Sequence, residues 1–321
     1  MPWTFSEAFM VLFFADANYL KEVKKMRRFA VIVLALAMVF ALCACGANSA
    51  APAAGTTAPA ATFTPDAKSV LNTKVLRVGM ECAYAPYNWT QNDDSNGAVP
   101  IYQSSSYANG YDVMMAKKIC EANGWTLEVH QLDWNSIPVA VQSGDIDCGI
   151  CGQSIKPDRL AAMDFSDPYY YASIVTLVKA DGKYASATGI SGLAGATCTS
   201  QISTVWYDTC LPQLKNANIL AAQDTTGNML IALESGACDL VCTDLPTAMA
   251  ACVAYPDFKM LDFTGTSDNY AVDAGDINIG ISIMKGNSQL VGDCNSVLSG
   301  MTADDFSAIM KSAIAIQPLN A

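Results

Sequence analysis

Histidine is almost missing from this 321-residue sequence, where His130 is the single example. A Ser-His-Asp or Cys-His centre would have to be built around it, and no nucleophile sits in a recognisable elbow beside it. A histidine-rich zinc site is excluded. His130 closes a strand-like run, Thr126–His130, and reads as a partly exposed strand-end residue. The sequence also lacks a phosphate-binding loop and a dinucleotide-binding glycine fingerprint. Positive charge is scarce. From Cys45 onward 13 Lys and Arg face 27 Asp and Glu, a net charge of about −14. So acidic a surface argues against nucleic acid and anionic lipid as partners. Beyond Cys45 arginine occurs twice, as Arg77 in VLRVG and as Arg159 in CGQSIKPDRLAAMDFSDPYY. A guanidinium grips a carboxylate through two parallel hydrogen bonds. Arg159, among Gly, Ser, Pro and aromatic residues, therefore marks a recognition point for a small carboxylate; a surface salt bridge is its alternative use.

What is present begins with the N-terminus. Lys24, Lys25, Arg27 and Arg28 precede an apolar run, FAVIVLALAMVFAL, which is followed by CACGANSA. Basic, apolar and small, in that order, is an export signal, and the run is short for a bilayer span. Leu42-Cys43-Ala44-Cys45 resembles the bacterial lipobox, which predicts lipidation at Cys45, an extracytoplasmic chain and a membrane partner reached through the lipid anchor. Cys43 fits less well because bulky Leu42 precedes it. An ordinary cleaved signal or a short anchor is the alternative, with the same consequence for residues 46–321. Met26 followed by two arginines looks like the natural start, which makes residues 1–25 a start-site artefact and residues 26–44 the signal. Residues 49–64 are almost entirely Ala, Pro, Thr, Gly and Ser and read as a flexible tether, placed at 45–69. Ten further cysteines follow Cys45. Export permits disulfides, but several lie in apolar runs where cysteine acts as a small hydrophobe, and no pairing follows from sequence. Cys148–Cys151 has CxxC spacing but falls in a strand pattern rather than at a helix start, which speaks against redox chemistry.

The body carries a repeat. AVQSGDID at 140–147 and ALESGACD at 232–239 each end an apolar helical pattern at Ser-Gly and lead into a short apolar strand. A spacing of 92 residues suits one such unit in each of two similar domains. Strand-like runs at Val75–Gly79, Ile174–Val178 and Ile277–Met284, with an amphipathic helix at Asp112–Ala122, point to mostly parallel sheets covered by helices.

Gly152-Gln-Ser-Ile-Lys-Pro-Asp-Arg159, followed by Asp164-Phe-Ser-Asp-Pro-Tyr169, resembles the solute-binding proteins of polar-amino-acid ABC importers, the type II periplasmic binding proteins of bacterial family 3. The likeness runs from about Leu76 to Ile316. It implies an α/β fold of two lobes, each a mostly parallel sheet flanked by helices, joined by two crossing strands near Ser173–Thr176 and Gly280–Ile283. Lobe 1 is then discontinuous, 70–172 with 283–321, and lobe 2 is 173–282. It further implies that Arg159 clamps a ligand α-carboxylate, that Ser154 and Gly152 help hold the α-amino group, and that Asp244 in CDLVCTDLP completes amino-group recognition. Asp244 can serve as a helix cap at the same time. Tyr84 and Trp134 match aromatic contacts of the ligand, and Glu81 an acidic or polar specificity position. For each aromatic, core packing is the alternative use. Trp89 is placed at the rim. Two departures stand out: Ser203-Thr204 replaces a Gly-Thr pair, which leaves Thr204 as a carboxylate contact, and Lys156 replaces a threonine. Residues 91–109 form a long polar connector, placed beside the cleft mouth.

The expected activity is extracytoplasmic binding of a small amino acid, polar or cationic, and its delivery to ABC permease subunits driven by a cytoplasmic ATPase. No catalysis, metal or cofactor is expected, and the protein is expected to be a monomer. The alternatives are a dehydratase-type enzyme acting on a cyclic carboxylate, with Glu81 or Asp244 as the acid, and a sensory receptor module of the same fold.

Overall fold

A computed structural model describes residues 63–318. The expectations concerning Met26, the signal, Cys45 and the tether up to residue 62 lie outside the described residues. Among those described, no helix is long and apolar enough to cross a membrane.

Two five-stranded sheets organise the chain. The first contains β1 (Val75–Met80), β6 (Thr126–Gln131), β7 (Cys148–Gly149), β8 (Met163–Phe165) and β16 (Ser282–Met284), in the order β6-β1-β7-β16-β8. The second contains β10 (Ile174–Lys179), β11 (Thr197–Thr199), β12 (Asn218–Ile219), β13 (Leu240–Asp244) and β14 (Phe258–Leu261), in the order β12-β11-β13-β10-β14. Both repeat one pattern: three parallel strands, a fourth antiparallel to them, and a fifth antiparallel to the fourth and so running with the first three. The two-lobed α/β architecture implied by the resemblance is present, with sheets that are mixed. Between them run β9 (Tyr170–Tyr171) and β15 (Asn278–Ile279), which pair antiparallel. The apolar stretch at 277–284 is thus split in two at Gly280, where a Cβ would meet Ile155 Cδ1 at 2.7 Å.

The sequence repeat is a repeated structure. In lobe 1 the helix Ile137–Ser143 ends at Gly144, left-handed at φ +81°, and leads to β7. In lobe 2 the helix Thr226–Glu234 ends just before Gly236, φ +74°, and leads to β13. The final aspartate of each unit does the same job. Asp147 donates its N–H to the carbonyl of Arg77 at 2.9 Å, and its carboxylate accepts the N–H of Arg77 at 3.0 Å. Asp239 donates to the carbonyl of Thr197 at 2.8 Å and accepts the Thr197 N–H at 2.8 Å. Each side chain thereby satisfies backbone groups of a neighbouring parallel strand beyond the end of the regular ladder. Asp147 does more. Its two oxygens also take Arg77 Nε at 3.0 Å and Nη2 at 3.1 Å, so Arg77 is committed to the scaffold.

Helix Tyr111–Asn123 packs over the first sheet. Met115 and Ile119 are fully buried, each worth about 1.5–3 kcal/mol of transfer free energy. Its first turn (Tyr111, Asp112, Val113) is buried all round, whereas Ala122, expected on the inner face, is exposed. The connector at 91–109 does not join the cleft. Its β3 (Asn88–Gln91), β4 (Val99–Pro100) and β5 (Tyr107–Asn109) join β2 (Ala83–Tyr84) in a small antiparallel sheet, and Ile101 bridges to Val129 on the edge strand β6. Trp89 is buried there, its indole donating to Gln91 at 3.2 Å, and it lines a second cavity together with Thr225, Thr226 and Thr247 of lobe 2. His130 lies one residue before the end of β6, half-buried, bonded to Glu128 at 2.9 Å and stacked on Tyr102 at 4.6 Å. The ten described cysteines are unpaired thiols, nine of them buried. Burial pushes Cys148 and Cys151 well above the ordinary thiol range, the opposite of an activated redox pair.

The duplicated aspartates predict unequal costs. Asp147→Ala strands a buried arginine along with backbone donors, and a loss of about 3–5 kcal/mol is expected in urea unfolding. Asp239→Ala, at an exposed position with one backbone N–H at stake, should cost about 1 kcal/mol.

Candidate ligand-binding cleft

Between the two sheets lies a narrow cavity, part of it open to solvent. Tyr84, Trp134, Gly152, Ser154 and Arg159 reach it from lobe 1, and Thr204 and Asp244 from lobe 2. Seven of the eight residues singled out from the sequence therefore share one cavity. The eighth, Glu81, opens on the adjoining cavity, with Trp134 lining both.

Arg159 stands in the first turn of the short helix Pro157–Ala162, which begins with proline where an unpaired N–H would otherwise be. Its Nη1 donates to the Ser154 carbonyl at 2.9 Å and its Nη2 crosses to the Ser203 carbonyl of lobe 2 at 3.2 Å. The guanidinium lies 5.5 Å from the centre of the Trp134 ring, within cation–π range. Burial pulls its pKa down from the ordinary value, while Cys151, Asp158 and Asp208 act the other way. Two of the five N–H donors of a guanidinium are thus spent on protein carbonyls.

Asp244 ends β13 and caps the helix Leu245–Ala254, its Oδ1 accepting the Thr247 N–H at 2.8 Å. Its Oδ2 accepts the Tyr84 hydroxyl from the opposite lobe at 2.6 Å. The carboxyl is buried, which raises its pKa, and the bonds from Tyr84 and Thr247 counter this. A carboxylate offers about four lone-pair sites, so two bonds leave capacity for an ammonium group. Tyr84 stacks on Tyr87 at 4.7 Å and meets Trp206 edge-on at 6.0 Å.

Gly152 is required twice over. Its φ is +71°, and a Cβ would sit 2.6 Å from Tyr84 Cε1. Ser203, standing where glycine was expected, takes the left-handed conformation itself at φ +59°. Thr204 Oγ1 donates to the Gln201 carbonyl at 2.7 Å and accepts the Tyr207 N–H at 3.3 Å, so its hydroxyl is used to shape this loop. Trp134 faces the cavity and also packs in a small apolar cluster with Ile137, Val141 and Phe165.

Glu81 is buried, and its two oxygens accept from Gln201 Nε2 of lobe 2 at 3.1 and 3.3 Å. Burial pushes its pKa up to about 7; the Gln201 bond lowers it and Asp133 raises it further.

Several contributors were not read from the sequence. Trp206 and Gln201 line the cavity. Behind it, buried Asp112 accepts Asn88 Nδ2 at 2.7 Å and the Tyr169 hydroxyl at 2.7 Å. Asn88 Oδ1 in turn accepts the Cys82 N–H at 2.7 Å, and the Tyr169 oxygen accepts the Gly152 N–H at 3.0 Å. Burial also pushes Asp112 up to about 7. The visible signal was a charged residue, Asp112, at the start of an otherwise apolar helical turn.

The chain belongs to the bacterial extracellular solute-binding proteins, family 3, whose sequence model matches residues 76–314. It is similar to the arginine-binding extracellular protein ArtP of Bacillus subtilis, 26% identical over 180 residues, which cover 56% of this chain and 58% of that protein. It is also similar to the "Probable histidine-binding protein" of Neisseria gonorrhoeae, 28% identical over 232 residues, covering 70% and 77%. Among solved structures, an amino acid ABC transporter substrate-binding protein from Streptococcus pneumoniae, bound to L-arginine, superposes with a TM-score of 0.66 at 22% identity, over 77% of this chain and 97% of that one. The alignment with ArtP thus spans under two thirds of that relative's length.

Gly152→Ala should fold yet displace Tyr84, and with it the hydroxyl on Asp244. The expected outcome is ligand affinity lowered at least ~10-fold, with a Tm change much smaller than that of Asp147→Ala, read by calorimetry and thermal unfolding.

Proposed function

We propose that the protein captures an α-amino acid with a polar or cationic side chain between its lobes, outside the cytoplasm, and delivers it to an ABC permease powered by a cytoplasmic ATPase. The observation that carries this reading is the placement of Arg159 and Asp244 on opposite walls of one cavity. An anion clamp on one lobe and a cation acceptor on the other read a zwitterion only when the lobes are together. Ser154 and the Gly152 backbone assist at the amino group, Thr204 at the carboxylate, and Tyr84 and Trp134 flank the ligand. The side chain then extends past Trp134 toward Glu81. No Lys or Arg lines the cavity on which Glu81 opens, so a buried carboxylate there favours a cationic or hydrogen-bonding end. The relatives bearing arginine- and histidine-binding names support that preference.

Opening and closing then turn on the two crossings near Ser173–Thr176 and Gly280–Ile283, next to the β9–β15 ribbon, within a lobe 1 of 70–172 and 283–321 and a lobe 2 of 173–282. Ligand shifts the population toward the closed form by bridging both walls. Attachment through a lipid on Cys45, in a chain beginning at Met26, holds the monomeric receptor near its permease.

A thermal-shift screen of the twenty amino acids with ornithine and cystine should pick out a small polar or cationic set. Arg159→Ala should keep the fold and lower the affinity for that set about 30-fold or more, since one partner of a buried charge pair is lost. Unchanged affinity by calorimetry would remove the clamp.

A further inference from the structure

Gln201 occupies a place that the ligand site just described does not explain. It is buried at 2% exposure and lines the Arg159 cavity. Both ends of its amide are engaged. The Thr226 hydroxyl donates to Oε1 at 2.8 Å, which leaves Nε2 facing both oxygens of Glu81. With Glu81 ionised, the opposite flip would set two acceptors against each other. Thr226 begins the helix Thr226–Glu234, so the amide is anchored on rigid structure of lobe 2.

The surroundings of Glu81 give this contact its weight. From its own segment it has the neighbouring Cys82 thiol. The Gln131 amide donates to its backbone carbonyl at 3.3 Å. Asp133 raises its pKa, and Asp224 lines the same cavity from lobe 2. The Cys151 thiol also feels its charge. All of these are neutral or acidic. Gln201 is therefore the donor that makes an ionised Glu81 tolerable, and it comes from a residue 120 positions away on the other lobe.

We propose that Gln201 is a positioning residue: closure of the lobes sets its Nε2 against Glu81, holds that carboxylate ionised and in place, and so fixes the preference for a cationic ligand over a neutral one of the same shape. This rests on the amino-acid-binding reading above. Removing the donor raises the cost of charge on a buried carboxylate. Glu81 then stays protonated to higher pH, and a cationic ligand loses its counter-charge while a neutral one does not.

The test uses the mature protein, its Gln201→Leu, Thr226→Val and Glu81→Gln variants, and the probe pair L-arginine and L-citrulline. Calorimetry from pH 6 to 8.5 is expected to show wild-type affinity for arginine rising as pH passes about 7, with citrulline nearly flat. In Gln201→Leu the midpoint moves up, and the arginine-to-citrulline ratio at pH 7 falls about three- to tenfold, the scale of one hydrogen bond. Thr226→Val moves both the same way by less, and Glu81→Gln abolishes the pH dependence. Equal weakening of both ligands with an unmoved midpoint overturns the proposal, as does a wild-type protein that prefers citrulline at pH 8. If the wild type binds neither probe, the amino-acid reading stands or falls on the screen above, and Gln201 is judged from unfolding without ligand. A folded-state pKa of about 7 against 4.5 means that Glu81 contributes stability in full below pH 4.5 and loses it as pH rises through 7. Gln201→Leu should extend that loss to higher pH and Glu81→Gln should remove it. Asp112 titrates in all three backgrounds and cancels. A Tm profile in Gln201→Leu that parallels the wild type overturns the role.

Discussion

The Asp244 carboxylate is the group on which the cleft depends. A buried charge must be fully hydrogen-bonded or it is driven to neutrality. Asp244 meets part of this demand from two directions: the N–H of Thr247 on its own lobe and the hydroxyl of Tyr84 on the other. The first bond ties the end of β13 to the helix that follows. The second ties the lobes. One carboxylate therefore terminates a strand, starts a helix and supplies a reason for the lobes to meet. Because its capping bond is local and its Tyr84 bond is not, opening the cleft would leave the cap in place and expose the other oxygen to water or ligand. The same carboxylate can thus keep its capping role while its second oxygen changes partner.

The lobes reach this meeting through a shared construction. Each ends a helix at a left-handed glycine, turns into a short central strand, and uses the aspartate at that turn to clasp the adjacent parallel strand. The clasp differs in strength because the surroundings differ. Asp147 is buried and has recruited Arg77, whereas Asp239 is exposed and serves a single backbone N–H. That recruitment bears on function. It commits one of the two arginines beyond Cys45 to the scaffold and leaves Arg159 at the cavity.

Much of this was legible in the sequence because it is local. The strand at Val75, the helix from Tyr111, the Ser-Gly repeat, and the Gly152-to-Arg159 segment are short patterns whose physics is settled within a few residues. The left-handed Ser203 was legible as a problem, since a glycine was missing where the loop wanted one. What could not be read depends on which surfaces come together. Ile277–Met284 looked like one strand, but close packing of Ile155 against Gly280 accompanies its division into two. The 91–109 connector looked like a loose polar loop, but it pairs with the strand that carries Trp89. Glu81 was read as an acidic or polar specificity position, yet its hydrogen-bond partner lies 120 residues away, and no periodicity points across such a distance.

The least legible layer is the one behind the cleft. Asp112 receives Asn88 and Tyr169, and these in turn receive the N–H groups of Cys82 and Gly152. The two loops that carry Tyr84 and Gly152 are therefore hung from a single buried carboxylate at a helix N-terminus, where the helix dipole also favours negative charge. Ligand geometry within a few tenths of an ångström needs such a second layer, because loops left to themselves would give up binding energy to ordering. The consequence is a cleft braced from behind on its lobe 1 side, with bonds from Tyr84 to Asp244, Arg159 to Ser203 and Gln201 to Glu81 crossing between the lobes in front of it. The bracing is local to one lobe and the crossing bonds are not, so the two layers answer to different parts of the fold.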